Sequence, residues 1–447
     1  TSLVEYATQP KLYASDAAAS DQFGVAVSLY GDTALIGARY DDDNSKSSSG
    51  SVYVFTRSST DGGTFTQQSK LHASDATAHD WFGASVSLYG DTALIGAHGD
   101  DDNSRSGSGS VYVFTRSSTD GTFTQQSKLH ANDAAASDQF GVAVSLYGET
   151  ALIGADADDD NGKSTSGSLY VFTRSSTDGG TFTQQSKLHA SDAAVGDSFG
   201  RSVSLYGDTA LIGAEFDDDN GKSASGSVYV FTRSSADGTF TQQAKLHASD
   251  PEASDRFGFS VSIYNNTALI AAYTDDDNSK TDSGSVYVFT RSSTDGGTFT
   301  QQSKLHASDA AVEDRFGASI SLYGDTALIG AFLDDDNSKS MSGSVYVFTR
   351  SSTDGGTFTQ QSKLHASDAA VEDYFGMSVS LYGDTALIGA HHDDDNGKPS
   401  SGSVYVFTRS STDDVTFTEQ SKLHASDAAA VDAFGSSVSL YGDTALI

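Results

Sequence analysis

Apolar and polar positions follow one order along the chain. From Ala84 to Tyr89 small or apolar residues alternate with serine, the pattern of a half-buried strand, a. Gly90-Asp91 follows, and Thr92–Ala97 reads as strand b, so the two-residue link predicts a tight hairpin. The corresponding link further on is Asn265-Asn266, and asparagine is the non-glycine residue that best tolerates positive φ. Strand c, Ser110–Thr115, carries Val111 and Val113 on one face and Tyr112 and Phe114 on the other, which predicts burial on both sides. A turn at 117–121 leads into strand d, Thr122–Leu129, whose Gln125-Gln126 pair suits an outer, solvated edge.

This order recurs with a Phe-Gly pair at Phe23, Phe82, Phe140, Phe199, Phe257, Phe316, Phe375 and Phe434, spaced by 58 or 59 residues. A fixed period of this size signals a repeat architecture. Four short strands per unit and no helix signal predict an all-β fold, a β-propeller of four-stranded blades spanning 1–447 as one domain. The three prolines, Pro10, Pro251 and Pro399, fall outside strands a, b and c. Tyr6 to Asp16 aligns with strand d and its following loop, so the N-terminal strand Tyr6 to Leu12 is expected to close the ring. Seven complete units then run from Phe23 to about Ser426, and strands a and b of an eighth end the chain. Strand counting leans towards eight blades.

The chain carries 26 basic and 60 acidic residues, a net charge of -34, with acids in every unit. Nucleic-acid binding is excluded, because phosphate recognition needs a basic surface, and cations are the natural partners of such a field. Without cysteine, disulfides contribute nothing. No apolar run reaches membrane-spanning length, so direct membrane insertion is not expected. The chain begins at Thr1 and stops at Ile447 inside a motif that elsewhere continues Gly-Ala, which reads as a piece of a longer chain.

Phe82-Gly83 and Gly96-Ala97, with their counterparts, resemble the FG-GAP repeat of integrin α-chain heads and of many bacterial and algal surface proteins. The proline of that motif is absent from every copy. The resemblance implies a seven-bladed propeller, favoured here with eight blades as the alternative. It also implies an extracellular or cell-surface adhesion or structural module contacting proteins, glycans or copies of itself. A recognition module of a larger secreted enzyme is the alternative. No unique Ser-His-Asp grouping occurs, so no catalytic residue is expected.

Four sets of residues are candidates for chemistry. The first is the acidic b–c loop, where clustered carboxylates, asparagine and carbonyls suit calcium. The expected ligands are Asp41, Asp43 and Asn44; Asp100, Asp102 and Asn103; Asp158, Asp160 and Asn161; Asp217, Asp219 and Asn220; Asp275, Asp277 and Asn278; Asp334, Asp336 and Asn337; and Asp393, Asp395 and Asn396. A solvated acidic loop is the alternative. In integrin blades the calcium loop lies between strands a and b, so that ligand pattern does not transfer.

The second set is one histidine per unit, His72 to His424, which the repeat spreads too widely for a zinc site. The third is glycosylation: Asn265 heads the one N-linked sequon, and loops such as Ser47-Ser48-Ser49 and Ser58-Ser59-Thr60 suit O-linked sugars.

The fourth set varies where the rest repeats. Residues after Gly-Ala change: Arg39-Tyr40, His98-Gly99, Asp156-Ala157, Glu215-Phe216, Tyr273-Thr274, Phe332-Leu333 and His391-His392. So does the residue before each Phe: Gln22, Trp81, Gln139, Ser198, Arg256, Arg315, Tyr374 and Ala433. Aromatic and arginine side chains anchor interfaces. If both sets share one face, Arg39, Tyr40, Trp81, His98, Phe216, Arg256, Tyr273, Arg315, Phe332, Tyr374 and His391 form the expected binding face. Drift at exposed loops is the alternative.

Overall fold

The computed structural model describes residues 15–16, 21–57, 65–174, 180–292, 297–350, 356–394, 398–410, 415–423, 433–442 and 444–446. Seven four-stranded antiparallel sheets follow one another, each ordered a-b-c-d. Blade 1 uses Phe23–Tyr30, Thr33–Ala38, Ser51–Arg57 and Phe65–Leu71. Blade 2 uses Ser85–Tyr89, Thr92–Ala97, Ser110–Arg116 and Phe123–Leu129, within a residue or so of the expected bounds. Blades 3 to 7 start at Val144, Ser202, Val261, Ser319 and Ser378. The all-β, seven-bladed expectation holds for complete blades; the only helical pieces among the described residues are single 3-10 turns in the b–c loops.

Two further strands, Ser439–Tyr441 and Thr444–Leu446, pair only with each other. They take an eighth position on the inner wall, with Ser439–Tyr441 packed against strand a of both blade 7 and blade 1. Leu446 enters the core of blade 1 beside Ile36 and Tyr53, while Leu440 enters that of blade 7 beside Val404 and Val406. This partial sheet is what the strand count found. The expected closing strand, Tyr6 to Leu12, lies outside the described residues.

Strand c is apolar on both faces because each core lies between blades. Between blades 1 and 2, Leu35, Val52, Val54 and Leu71 meet Phe82, Ile95, Tyr112 and Phe114. The Val face of one strand c thus meets the Tyr/Phe face of the next, which places a separate core cluster in each gap between successive blades. Phe82 is fully buried, edge-on to Tyr112 at 5.4 Å and to Phe114 at 6.0 Å. The Phe-Gly and Gly-Ala motifs meet across the seam. A Cβ on Gly96 would stand 2.3 Å from the Gly141 carbonyl oxygen of blade 3, so the backbones approach closely here; blade 5 alone has alanine at this place, Ala271.

The a–b hairpins turn at Gly90-Asp91 with φ of +59° at Gly90, and Asn265 holds the same place at +55°. Only the first turn residue has positive φ, as in a type II′ turn. Just before each hairpin stands a tyrosine. Tyr30, Tyr89, Tyr147, Tyr206, Tyr264, Tyr323, Tyr382 and Tyr441 form a closed collar of rings, neighbours 4.8 to 6.0 Å apart. Burial and then the neighbouring phenols push the Tyr30, Tyr206 and Tyr323 hydroxyls to higher pKa. This collar marks the hairpin mouth; the b–c and d–a loops form the opposite mouth.

Candidate recognition surface

The acidic loops lie at that opposite mouth, and their three aspartates do three different jobs. In blade 2, Asp100 is 3% exposed; its Oδ2 accepts the Ser110 hydroxyl at 2.7 Å and lies 2.9 Å from Lys128 Nζ. Asp101 is exposed and accepts the Gly107 N–H at 2.7 Å, which folds the loop back on itself. Asp102 Oδ1 stands 3.3 Å from Lys128, and Asn103 donates to its other oxygen at 2.5 Å. Asn103 sits at φ +51°, so asparagine answers a left-handed backbone position here.

A fourth carboxylate, Asp75 from the preceding d–a loop, accepts both Tyr112 Oη and Lys128 Nζ at 2.8 Å. Lys128 therefore sits at the centre of three aspartates. Burial opposes its charge, but the bonds to Asp75 and Asp100 outweigh that and raise its pKa. For Asp75 burial is the largest single influence and opposes ionisation, but the bonds from Lys128 and Tyr112 together outweigh it and hold the carboxyl below the usual carboxylate range. Lys70, Lys187, Lys245, Lys304 and Lys363 repeat the arrangement, and Lys422 pairs with Asp368 and Asp393.

The aspartates among the expected calcium ligands thus converge on a lysine ammonium, while Asn103 donates to Asp102. Among the described residues no group of three or more His, Asp or Glu stands arranged around an open metal position. Asp395 and Asn396 lie outside the described residues, as do the side chains of Asn44 and Asn337.

One further aspartate, two before the Phe of each unit from Phe82 to Phe375, is buried against backbone. Asp138 accepts the Ala135 N–H at 2.6 Å, and burial pushes its pKa up to about 6. The unit histidines sit at the outer edge, with His130 Nδ1 3.8 Å from Asp102. His424 and Ser58-Ser59-Thr60 lie outside the described residues. Asn265 is exposed on its hairpin.

The variable residues come together on this mouth. Trp81 stands between Tyr40 of blade 1, at 6.5 Å, and His98 of blade 2, at 5.1 Å. Arg39 lies over Tyr40 and donates to Gln22 at 2.8 Å. Arg256 lies over Phe216 at 5.0 Å and donates to Tyr273 Oη at 3.1 Å, while Arg315 covers Tyr273 from the next blade at 5.3 Å. Tyr374 contacts Phe332, His391 and His392 at 4.6 to 5.8 Å. Each residue of the expected binding face touches another variable residue.

Two features separate this band from ordinary loop surface. The residue before Phe has φ between +52° and +59° in all eight units, yet Trp81, Tyr374, Arg256 and Arg315 hold it. Bulky side chains are disfavoured there, and such strain clusters at functional sites. The band also holds buried polar atoms without hydrogen-bond partners: His98 Nδ1, His391 Nδ1, Asp156 Oδ1, Glu215 Oε2 and Arg315 Nε. Such atoms are rare in folded proteins. Burial, then Arg39, lowers the His98 pKa to about 4; burial, then His392, does the same for His391, so both imidazoles are neutral at pH 7.

A further variable position does not figure in the expected binding face. Two residues after each Phe stand Val25, Ala84, Val142, Arg201, Phe259, Ala318, Met377 and Ser436. Arg201 bonds Asp156 and Glu215, and Phe259 stacks on Tyr273 at 4.1 Å. The signal was present: comparing the units with one another, as for the residue before Phe, picks it out.

Blades repeated about an axis, stitched by Phe-Gly and Gly-Ala across every seam, define a β-propeller built from tandem repeats. The chain belongs to the FG-GAP repeat family, which matches residues 6–55, 65–114, 123–172, 182–231, 240–289, 299–348, 358–407 and 417–447. No curated protein matches the chain. Among solved structures it is similar to Sqt1 of Saccharomyces cerevisiae, at 11% identity and TM-score 0.54, covering 93% of this chain and 88% of that one. It is also similar to a putative 6-phosphogluconolactonase of Bacteroides uniformis, at 13% identity and TM-score 0.55, covering 89% and 97%. A protein from Lactobacillus plantarum gives 14% identity and TM-score 0.55, covering 89% and 98%. At these identities the likeness shows the fold alone.

Proposed function

We propose that the protein is a non-enzymatic recognition module of a surface or extracellular assembly, binding a protein or glycan through the variable mouth. One observation carries this reading. In a chain that otherwise repeats almost letter for letter, bulky aromatic and arginine side chains held at positive φ sit at one end of the axis and touch one another. Neutral drift has no reason to place tryptophan, tyrosine and arginine at positive φ, whereas an interface uses those residues as anchors.

The test is binding of the whole chain to glycan and peptide arrays, beside Trp81→Gly and Arg256→Ala variants with unchanged melting temperature. The reading expects at least tenfold weaker binding for one variant. Ligands that bind both variants like the parent chain would move the site elsewhere.

A further inference from the structure

We infer that the seam between blades 3 and 4 is a seat for a cationic group, an ammonium carried by the partner. This rests on the recognition reading above and names the chemistry that part of the mouth accepts. Asp156 and Glu215 occupy equivalent places, directly after strand b of blades 3 and 4. The other units hold Arg39, His98, Tyr273, Phe332 and His391 there, so the two acids single out one seam.

Both carboxylates are almost fully buried, at 5% and 2% exposure. Arg201, from the start of strand a of blade 4, bridges them. Its Nη1 lies 3.0 Å from Asp156 Oδ2 and its Nε 2.7 Å from Glu215 Oε1. That uses one oxygen of each acid. Glu215 Oε2 receives no hydrogen bond, and Asp156 Oδ1 has only the nearby backbone N–H groups of Asp156 and Ala157, short of full hydrogen-bond geometry. Arg256 Nη1 stops 4.0 Å short of Oε2, because that guanidinium is held over Phe216 and bonded to Tyr273.

A buried carboxylate oxygen without a donor is costly. Elsewhere the same fold resolves the problem with an ammonium: Lys128 satisfies Asp75, Asp100 and Asp102 together. The 3–4 seam sets its two acids against Arg201 and Arg256, of which only Arg201 comes within hydrogen-bonding distance. Its cover, Arg201, has a side chain 49% exposed, so it can swing aside and admit a ligand. Phe216 and Tyr273 already carry the Arg256 guanidinium over their faces, so this part of the mouth accommodates positive charge, and the net charge of -34 favours cations generally. Burial, only partly opposed by the Arg201 charge, raises the pKa of both acids. A bound cation would reverse that shift.

The experiment is an NMR titration of the whole chain with N-acetyl-lysine amide at fixed ionic strength, reading the Arg201 Nε–H signal. Its Nε-acetylated counterpart and glycerol are the neutral comparisons. The expected result is a saturable shift with the free ammonium, at least tenfold weaker binding of both neutral compounds, and loss of the shift in Glu215→Gln. Asp156→Asn provides a second, independent variant should the first lower the melting temperature. Equal response to a neutral compound would make this a general hydrogen-bond donor site and overturn the inference. Parent-like binding in both variants would overturn it too. If array ligands bind the mouth while the lysine amide does not, only this inference falls; if the lysine amide binds and no array ligand does, the seat stands and the wider reading fails.

Discussion

The two mouths of the propeller are built from the same repeats and have opposite characters. At the hairpin mouth every unit supplies the same tyrosine, and the eight rings close on one another. At the loop mouth the positions before and after Phe-Gly and after Gly-Ala differ from unit to unit. The difference follows from what each end must do. The collar touches both neighbours in every unit, so one odd member would break two contacts. The loop mouth lies beyond the seam where Phe-Gly meets Gly-Ala, and the seam already holds the blades together. Side chains above it can change without disturbing the core. Repetition thus fixes the scaffold, and one end is left free to become asymmetric, which a specific site requires.

The largest effect that should separate the two ends is their response to pH, because it is summed over blades. Burial raises Asp138, Asp314 and Asp373 to about 6 and Asp255 to about 7, all under the loop mouth. These folded-state values lie above the unfolded carboxylate value, so the folded chain holds more protons between about pH 4 and 7. Their contribution is complete below the unfolded pKa and is lost as pH rises through 6 to 7. Asp75, Asp133, Asp192, Asp250, Asp309 and Asp368 act oppositely. Their lowered values stabilise above the unfolded pKa, and that stabilisation is lost in stronger acid. The melting temperature at fixed ionic strength should therefore peak in mild acid and fall towards pH 8, with the lowered His98 and His391 values offsetting part of the fall up to about pH 6.5. Asparagine at positions 138, 255, 314 and 373 together should flatten that fall. A melting temperature that climbs from pH 5 to 8 would contradict the assignment.

A single-site effect comes next. Lys128→Met leaves Asp75, Asp100 and Asp102 without their shared cation; removing one partner of a partly solvated cluster of this kind costs about 3 kcal/mol. Calcium gives this test a second arm. In the variant the oxygens are released, and calcium should recover part of the loss, whereas the parent chain should melt at nearly the same temperature with calcium, magnesium or chelator. A parent chain strongly stabilised by calcium alone would mean that the lysines do not fill the cation's place.

The fold was legible in the sequence because its determinants are local and repeated. The alternation of strand a, the Gly-Asp link and the two apolar faces of strand c each carry one instruction, given seven times or more. The acidic run was legible as a site of concentrated charge but not as to its partner. Lys128 is separated from Asp100 by the whole of strand c, and only the c–d pairing, with Tyr112 opposite Lys128, brings the two together. Asn103 reads as a ligand in the sequence, and the structure adds that it holds a left-handed backbone position. The variable positions announced themselves by departing from the repeat. Their shared mouth depended on a topology that puts the end of strand b beside the start of strand a. Arg201 escaped because position 201 is small or apolar in most units and resembles core.

The smallest effect on stability is the one that best separates the two mouths. Tyr264 touches Tyr206 and Tyr323 at 5.3 Å each, and aromatic pairs contribute about 0.5–1.5 kcal/mol beyond burial, so Tyr264→Ala should cost about 2–3 kcal/mol. Trp81 also touches two rings, Tyr40 and His98, so contacts alone would predict a similar loss. Its backbone says otherwise. Trp81 sits at φ +59°, where glycine is at ease and a bulky residue is strained by about 1–3 kcal/mol. Trp81→Gly gives up the ring contacts but releases that strain, and the two terms are of similar size. Denaturant unfolding should place Trp81→Gly within about 1 kcal/mol of the parent chain, while Tyr264→Ala falls clearly below both. If Trp81→Gly proves as costly as Tyr264→Ala, the tryptophan is there for the fold, and the loop mouth is scaffold like the collar. If it is nearly neutral, the strain at position 81 serves no purpose inside the molecule, and its reason has to be sought in what the mouth binds.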